Sequence, residues 1–315
     1  MTSARFQEIE REGAVVDLSS RAMWRMTGGD RVRYLNGQVT NDVRKATAQE
    51  AVYACVTNAK GRIDGDLFIH AGPGDALVLD AEPGLRESLS ARLEKYVVAD
   101  DVVIEDATGR WRLLHVFGVA AQDLAQASAS LSSEKNRVVR NSRYGAAGYD
   151  LWVDGAEPAP VFPVPELTPG EAEVWRICRG IPRWPQELNP EAFPQEAGLE
   201  SRAMDFSKGC YIGQEVLSRI KTTGRMPRKL VRFQVQDPAF RAGASGTAGS
   251  SWCLWVRSAD GLKEAGAVTS ACVHPVLDRV IGLAYVRQGL EQEHSLLLAP
   301  EGPSSILFEV KITQQ

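Results

Sequence analysis

Histidine and cysteine, the residues that most often hold zinc or iron-sulfur clusters, are scarce in this chain of 315 residues. There are four histidines and five cysteines, and no two cysteines lie at the C-x-x-C spacing of a metal site. The cysteines are Cys55, Cys178, Cys210, Cys253 and Cys272. We therefore expect free thiols rather than disulfides, and no metal site preformed within the chain.

Long apolar runs are also missing, and the N-terminal residues do not resemble a secretory signal or a transit peptide. No stretch approaches the ~20 apolar residues that cross a bilayer. The N-terminus, MTSARFQEIEREG, has acidic residues and no apolar core region. The formal net charge of −4 argues against a surface that coats nucleic acid, although a local basic patch remains compatible with it. These features predict a cytoplasmic globular protein without a membrane partner.

Short strand patterns and amphipathic helices are mixed through the first half of the chain. Residues 51–80 alternate strand-like runs with glycine turns, which predicts an antiparallel meander. Leu85, Leu89 and Leu93 recur every four residues and predict a helix. An alanine-rich helix is expected over residues 119–131. Because the strands do not alternate regularly with helices, we predict an α+β fold rather than a doubly wound parallel sheet.

A proline-rich stretch at residues 156–170 reads as an extended surface strap. Thr168 and Glu171 at its end have the spacing of a capping box, with a proline at the first helical position. A helix is expected from there to Gly180. The strap is a candidate boundary between two subdomains.

The hydrophobic period changes after Gly224. Val231, Phe233 and Val235 alternate with polar residues, a pattern that repeats over residues 305–312, and Asp260-Gly261 is a hairpin signal. We predict an α+β region over residues 1–228 and a C-terminal β-barrel domain over 229–315.

The stretch SKGCYIGQEVLSRI, residues 207–220, sets Cys210 apart from the other cysteines. A helix is expected to begin near Gly213, and both the helix N-terminus and the nearby Lys208 favour a thiolate. Gly209 and Gly213 permit tight turns and close approach by a ligand. The alternative is that Cys210 is a small buried apolar residue. No histidine or acid can be assigned to it as a triad partner, so hydrolase chemistry is not supported.

A basic run follows this stretch, and residues 216–236 contain no acidic residue. Such a run can receive a ligand rich in carboxylate or phosphate, or it can be a solvated basic face. Its basic residues are Arg219, Lys221, Arg225, Arg228, Lys229 and Arg232.

The motif KGCYIGQE resembles the signature of the YgfZ-type folate-binding proteins, which assist iron-sulfur cluster assembly or repair. That family is related to the aminomethyltransferase (T protein) of the glycine cleavage system. The resemblance covers nearly the whole chain, through DRVRYLNGQVTNDV (30–43), GIPRWPQELNPEAFPQEAGLE (180–200) and GAVTSACVHPVLDRVIGLAYV (266–286). It implies an aminomethyltransferase-like N-terminal region and a C-terminal barrel around a cavity for tetrahydrofolate.

The resemblance also suggests which residues bind the folate. Glu196 in a Pro-x-Glu segment would hold the pterin, while Arg225 in a Gly-Arg segment and Arg228 would hold the acidic end. Trp184 is a candidate cavity wall. Within the motif, the candidates for folate contact are Gly209, Tyr211, Gly213, Gln214 and Glu215.

Two departures from the aminomethyltransferases point towards the YgfZ branch. Their Asp-Asp-Leu segment resembles Gly65-Asp66-Leu67 here, where one acid of the pair remains and the alignment could slip to Asp64. They also generally lack a cysteine at the position of Cys210.

Three functional hypotheses follow. The first is a tetrahydrofolate-binding accessory protein for iron-sulfur enzymes or cluster carriers, in which Cys210, assisted by Lys208, ligates a cluster in transit or undergoes redox exchange. The second is a folate-dependent aminomethyltransferase or demethylase, in which Asp66 is catalytic. The third is an RNA-binding or tRNA-modification accessory module built on the basic residues 219–232.

Overall fold

The predicted α+β class is confirmed by a computed structural model, in which two five-stranded sheets and a closed six-stranded barrel are present. The residues that the structure describes are 1–119, 121, 136–157, 161–235, 237, 252–258, 261–290, 296–300 and 307–313. The helix expected over residues 119–131 lies almost wholly outside these ranges. Asp260 of the expected hairpin, and residues 305 and 306 of the expected C-terminal strand, also lie outside them.

Helices in the described part of the chain lie mainly in its first 223 residues. They are α1 (Ser3–Glu12), α2 (Arg31–Gln38), α3 (Arg86–Glu94), α4 (Pro169–Arg179), α5 (Glu200–Ala203) and α6 (Gln214–Thr223), with 3₁₀ turns at Val43–Lys45 and Pro83–Leu85.

The strands divide among three sheets. The first sheet contains β1 (Ala14–Asp17), β7 (Trp111–Phe117), β8 (Asn136–Asn141), β9 (Gly148–Asp154) and β10 (Glu166–Leu167). The second contains β2 (Ala22–Thr27), β3 (Val52–Thr57), β4 (Ile63–Ala71), β5 (Leu77–Ala81) and β6 (Val103–Asp106). The barrel contains β11 (Arg228–Val235), β12 (Trp252–Ser258), β13 (Gly261–Val273), β14 (Val280–Arg287), β15 (Leu296–Pro300) and β16 (Phe308–Thr313).

The second sheet confirms the predicted meander, because β3, β4 and β5 pair antiparallel in sequence order. Helix α3 forms where the leucine repeat predicts it. Leu89 and Leu93 are fully buried in a hydrophobic core that also contains Trp24 and Leu67 of this sheet. Burying the leucine side chains against a β-sheet is what fixes this short helix, since isolated helices of nine residues are marginal in water.

Helix α4 begins with the predicted capping box. The Thr168 hydroxyl accepts a hydrogen bond from the Glu171 amide at 3.3 Å, and the Glu171 carboxylate accepts one from the Thr168 amide at 3.0 Å. The helix ends at Gly180, which adopts a left-handed conformation with φ of 73°. It packs against β13 and β14 and so joins the barrel to the first sheet.

The predicted barrel is also confirmed, as a closed antiparallel sheet in the order β11-β14-β13-β12-β15-β16. Val231, Phe233 and Val235 alternate along β11 with less buried residues and point into the barrel core. This alternation is the period of two that a half-buried strand requires.

Candidate functional site

A cavity of about 610 Å³ is lined by residues of both five-stranded sheets and of α4. Volumes of roughly 300–1,000 Å³ are typical of sites for small organic ligands. Its walls come from β1 and the turn after it, from β3 and β4, and from residues 82–83, 143–144, 166–169, 172, 176, 181–183, 199 and 202.

Asp66 is a buried acidic residue of this cavity, and one of its carboxylate oxygens has no hydrogen-bond partner. It lies on β4 and is 6% exposed. Its Oδ2 accepts a hydrogen bond of 2.9 Å from the Tyr53 hydroxyl, whereas its buried Oδ1 has no hydrogen-bond partner. Burial raises the pKa of Asp66 to about 6, although the Arg21 guanidinium opposes that shift. A ligand that donates a hydrogen bond would satisfy the Oδ1 atom.

Aromatic side chains form the apolar walls. Tyr53 and Phe68 stand opposite each other on β3 and β4, and their rings stack at 4.6 Å between centroids. Tyr144 lines another wall and stacks on the buried Phe117 at 5.6 Å. Flat rings of this kind fit a planar aromatic ligand.

A buried network of ion pairs supports one side of the cavity. Arg143 makes paired hydrogen bonds to Asp80 and to Asp150, each with contacts of 2.7 Å, and Arg21 binds Asp80 and Glu82 at 2.5 Å. Burial alone would raise the pKa of Asp150, but Arg143 holds it well below the usual range. These arginines already have carboxylate partners, so they make the wall rigid rather than offering free charge to a ligand.

Two further arginines of the lining have more freedom. Arg202 is exposed, and its guanidinium donates to the Ser142 carbonyl at 2.7 Å and lies 5.7 Å from the Tyr53 ring centroid. Arg183 is half-buried and pairs with Glu173 at 2.9 Å, while its Nε has no partner. Arg202 has no carboxylate partner within ion-pair distance in the described structure, so it is better placed than the ion-paired Arg183 to receive an anionic group of a ligand.

Cys210 does not line the cavity, and its side chain is exposed. The alternative that it is a buried apolar residue is therefore wrong. Lys208 is only 5% exposed, and its Nζ donates to the carbonyls of Asn36, Val39 and Asn41 at 2.6, 2.6 and 2.9 Å. Burial lowers the pKa of Lys208 to about 8. The lysine thus fastens the loop that carries the cysteine.

The two glycines of the motif have different surroundings. Gly213 has φ of 89°, and a Cβ there would lie 2.6 Å from the Asn58 carbonyl oxygen, so the position requires glycine. A Cβ at Gly209 would meet nothing within 4 Å. Tyr211 is buried, with its ring centroid 4.8 Å from the Lys208 Nζ. Helix α6 opens with half-buried Gln214 and exposed Glu215.

Glu196 is fully buried and does not line the cavity. Its Oε2 accepts a hydrogen bond from the Phe193 amide at 3.0 Å and pairs with Arg62 at 3.6 Å and Arg228 at 3.4 Å. These contacts anchor the segment after α4 to the first strand of the barrel. The structure therefore gives Glu196 and Arg228 a structural setting away from the cavity.

Arg225 and Trp184 are also outside the cavity lining. Arg225 is exposed just beyond α6, and half-buried Trp184 packs against two hydrophobic cores. Of the site residues expected from the sequence, Asp66 alone is among the described lining residues.

The basic run divides into exposed and bonded residues. Arg228 and Arg232 donate to the carbonyls of Glu191 and Cys178, respectively. Lys221 pairs with Glu200 at 3.7 Å. The exposed residues of the run are Arg219, Lys221, Arg225 and Lys229.

The aromatic and arginine residues of the cavity were not identified from the sequence. One signal for them existed: Asp66 and Phe68 are two apart on a strand, so they face the same side. The partners Tyr53, Tyr144, Arg183 and Arg202 come from separate elements and carry no shared spacing.

Within the residues that the structure describes, no cluster of three or more histidine, cysteine, aspartate or glutamate side chains is arranged to hold a metal ion. None of the described helices combines the length and the hydropathy of a transmembrane segment.

Comparison with known proteins places this architecture. Residues 2–154 match the protein family described as GCVT N-terminal domain. An aminomethyltransferase of Rubrobacter xylanophilus is 27% identical over 318 residues, covering 94% of this chain and 82% of the relative. The tRNA-modifying protein YgfZ of Escherichia coli O157:H7 is 31% identical over 234 residues, covering 69% of this chain and 70% of the relative.

The fold has a solved counterpart in the glycine cleavage system aminomethyltransferase T from Bartonella henselae. That structure aligns with a TM-score of 0.76 at 17% identity, over 96% of this chain and 86% of the other, and shows that the two share a fold. The sequence identity to the Escherichia coli protein, together with this shared fold, shows that the chain belongs to the YgfZ family, which is related to the glycine cleavage aminomethyltransferases.

Proposed function

We propose that this chain binds a reduced folate in the cavity beside Asp66 and acts as an accessory protein for the assembly or repair of iron-sulfur enzymes. The observation that carries the folate site is Asp66, which lines a cavity of suitable volume and whose buried Oδ1 has no hydrogen-bond partner. Such an oxygen fits the donor-rich edge of a pterin.

The rest of the lining supports the same ligand. The stacked rings of Tyr53 and Phe68, with Tyr144 on another wall, offer flat apolar surface to the pterin and benzoyl rings. Arg183 and Arg202 offer cations to the glutamate end. Tetrahydrofolate bound there would supply a carrier for one-carbon units.

In this proposal the thiol of Cys210 serves a partner protein rather than the folate directly. It is exposed on the surface and is not part of the cavity lining. A cysteine at the surface can attack a disulfide of the partner, forming a mixed disulfide and releasing one thiolate, or it can contribute one thiolate to a cluster whose other ligands come from the partner. The partners would then be iron-sulfur enzymes or cluster carriers.

One observation favours one-carbon transfer as a second candidate function. Burial raises the pKa of Asp66 to about 6, close to the range in which a carboxylate can accept and return a proton near neutral pH. Asp66 would then hold a proton at the reacting nitrogen of the substrate. Formation of methylenetetrahydrofolate from an amine donor, lost in Asp66→Asn, would support this candidate.

Direct RNA binding is a weaker proposal for the exposed cations of the basic run. Four such cations are few beside the roughly six to ten phosphate contacts that give steep salt dependence. The relative from Escherichia coli is named a tRNA-modifying protein. For this chain we propose an accessory role in tRNA modification without direct RNA binding. Tight, strongly salt-dependent RNA binding would contradict this proposal.

The folate site is tested by anaerobic titration calorimetry with tetrahydrofolate. Wild type is expected to bind, and Asp66→Asn to bind at least about tenfold more weakly, because a charged hydrogen-bond acceptor is lost. Asp64→Asn is the control, since Asp64 is on the same strand but pairs with Arg92 outside the cavity. No binding by wild type, or equal binding by Asp66→Asn, would remove the site assignment.

The accessory role is tested in cells that lack this protein. Wild type should restore iron-sulfur enzyme activity, and Cys210→Ala should fail to do so at equal protein level. Full restoration by Cys210→Ala would contradict the proposed role of the thiol.

A further inference from the structure

The segment of residues 36–42, at the end of α2, receives the buried ammonium of Lys208. Its Nζ donates to the carbonyls of Asn36, Val39 and Asn41. Lys208 belongs to the motif loop, defined as residues 204–213 between α5 and α6. The lysine therefore holds the loop that carries the exposed Cys210.

The same segment also forms hydrogen bonds to two residues of the cavity wall. The side-chain amide of Asn41 donates to the backbone carbonyl of Tyr53 at 2.9 Å and to that of Arg202 at 3.3 Å. Thr40 adds a bond from its hydroxyl to the Ala203 carbonyl at 2.5 Å. Tyr53 and Arg202 line the cavity, so one short segment contacts both the motif loop and the proposed ligand site.

The Lys208 ammonium depends on these carbonyls because it has no carboxylate partner within ion-pair distance in the described structure. A buried cation is tolerated only when its donors are satisfied. All three Nζ donors are used, and their acceptors belong to one backbone segment, which runs from the end of α2 to Asn41. Any shift of residues 36–42 therefore changes the hydrogen bonds of the Lys208 ammonium and, through them, the position of the motif loop.

We propose that Lys208 and Asn41 are positioning residues that couple the cavity to the loop carrying Cys210. A ligand that orders Tyr53 and Arg202 also orders Asn41, and through the Asn41 carbonyl and Lys208 it reduces the mobility of the motif loop. This inference rests on the proposed binding of a folate in the cavity. It explains how the cavity can influence a thiol that does not line it.

Hydrogen exchange followed by mass spectrometry tests the coupling, with 5-formyltetrahydrofolate as the ligand. In wild type, amide exchange of residues 204–213 should slow by about fivefold when the ligand binds. Lys208→Met should exchange faster in this loop without ligand and show no slowing with it. Asn41→Ala should keep the ligand-free rates, because the three carbonyls remain, but lose the ligand-dependent slowing.

Lys45→Met is the matched control, because Lys45 is an exposed lysine that also binds the motif loop, through Asp205 at 2.6 Å. It should behave like wild type. Titration calorimetry on all four proteins separates the two levels of failure. Ligand binding with unchanged loop exchange in wild type, or ligand-dependent slowing that survives in Asn41→Ala, would overturn the coupling and leave the folate site standing. No binding in any protein would overturn both.

Discussion

The hydroxyl of Tyr53 donates a hydrogen bond of 2.9 Å to Oδ2 of Asp66, whereas the buried Oδ1 of the same carboxylate has no hydrogen-bond partner. The bond orients the carboxylate, and burial disfavours its charge. A ligand that donates a hydrogen bond to Asp66 would therefore stabilise a carboxylate that burial disfavours. Its proposed role in folate binding follows from this balance.

The affinity for tetrahydrofolate should depend on pH through Asp66. With a pKa of about 6 in the folded protein, the side chain is largely ionised at pH 7.5 and largely protonated at pH 5. Because the ionised form accepts the ligand's hydrogen bonds, affinity should fall by about tenfold over this interval. Calorimetric titrations at pH 7.5, 6 and 5 measure it. Asp66→Asn should not show this fall in affinity, which distinguishes the effect of Asp66 from ionisation of the ligand. A wild-type affinity that does not change with pH would rule out the role of the carboxylate.

Replacing Asp66 should also stabilise the protein. The pKa of Asp66 in the folded protein lies above the ordinary aspartate value of 3.8, so the native state binds more protons between about pH 4 and 6. The free energy of unfolding therefore falls as pH rises through that window. Above it, the ionised group costs up to about 3 kcal/mol. Asp66→Asn should therefore raise the free energy of unfolding at pH 7.5 by about 1–3 kcal/mol, with a smaller difference near pH 4.

Urea denaturation at the two pH values measures this difference. Asp64→Asn serves as the comparison, because Asp64 is a half-buried acid of the same strand that would lose its ion pair with Arg92 at 3.1 Å. A destabilised Asp66→Asn at pH 7.5 would mean that the carboxylate has a structural role instead.

The features that the sequence predicts best are those set by neighbouring residues. The capping box of Thr168 and Glu171 needs only four residues, and the alternation of β11 needs only one strand. Both are visible as local patterns, and both are found in the structure. The α+β class and the barrel follow from such patterns in sum.

The cavity could not be predicted in the same way, because it depends on register and on the approach of distant segments. Tyr53 meets Asp66 through the antiparallel pairing of β3 with β4, and Arg202 reaches the Tyr53 ring from another part of the chain. The folate contact predicted for Glu196 from its Pro-x-Glu segment stays a prediction. The fold buries Glu196 beside Arg62 and Arg228, and its Oε1 has no hydrogen-bond partner.

Arg202 and Arg225 give a matched test of where the acidic end of the folate lies. Both are exposed arginines, but only Arg202 lines the cavity. Arg202→Ala should weaken tetrahydrofolate binding by about fivefold, the effect of losing one partly exposed charged contact. Arg225→Ala should leave the dissociation constant unchanged. Calorimetry with a triglutamate folate should enlarge the first effect, while a loss confined to Arg225→Ala would place the acidic end beside the basic run.

The two motif glycines should differ sharply when each is replaced by alanine. At Gly213 the backbone has φ of 89° and a Cβ would approach the Asn58 carbonyl oxygen to 2.6 Å, so Gly213→Ala should destabilise the protein by about 1–3 kcal/mol. At Gly209 a Cβ has open space, and Gly209→Ala should change the free energy of unfolding by less than about 0.5 kcal/mol. Urea denaturation followed by circular dichroism measures both. If Gly209→Ala nevertheless fails to restore iron-sulfur enzyme activity in cells, the open space at Gly209 is needed by a partner, because the fold itself does not require glycine there.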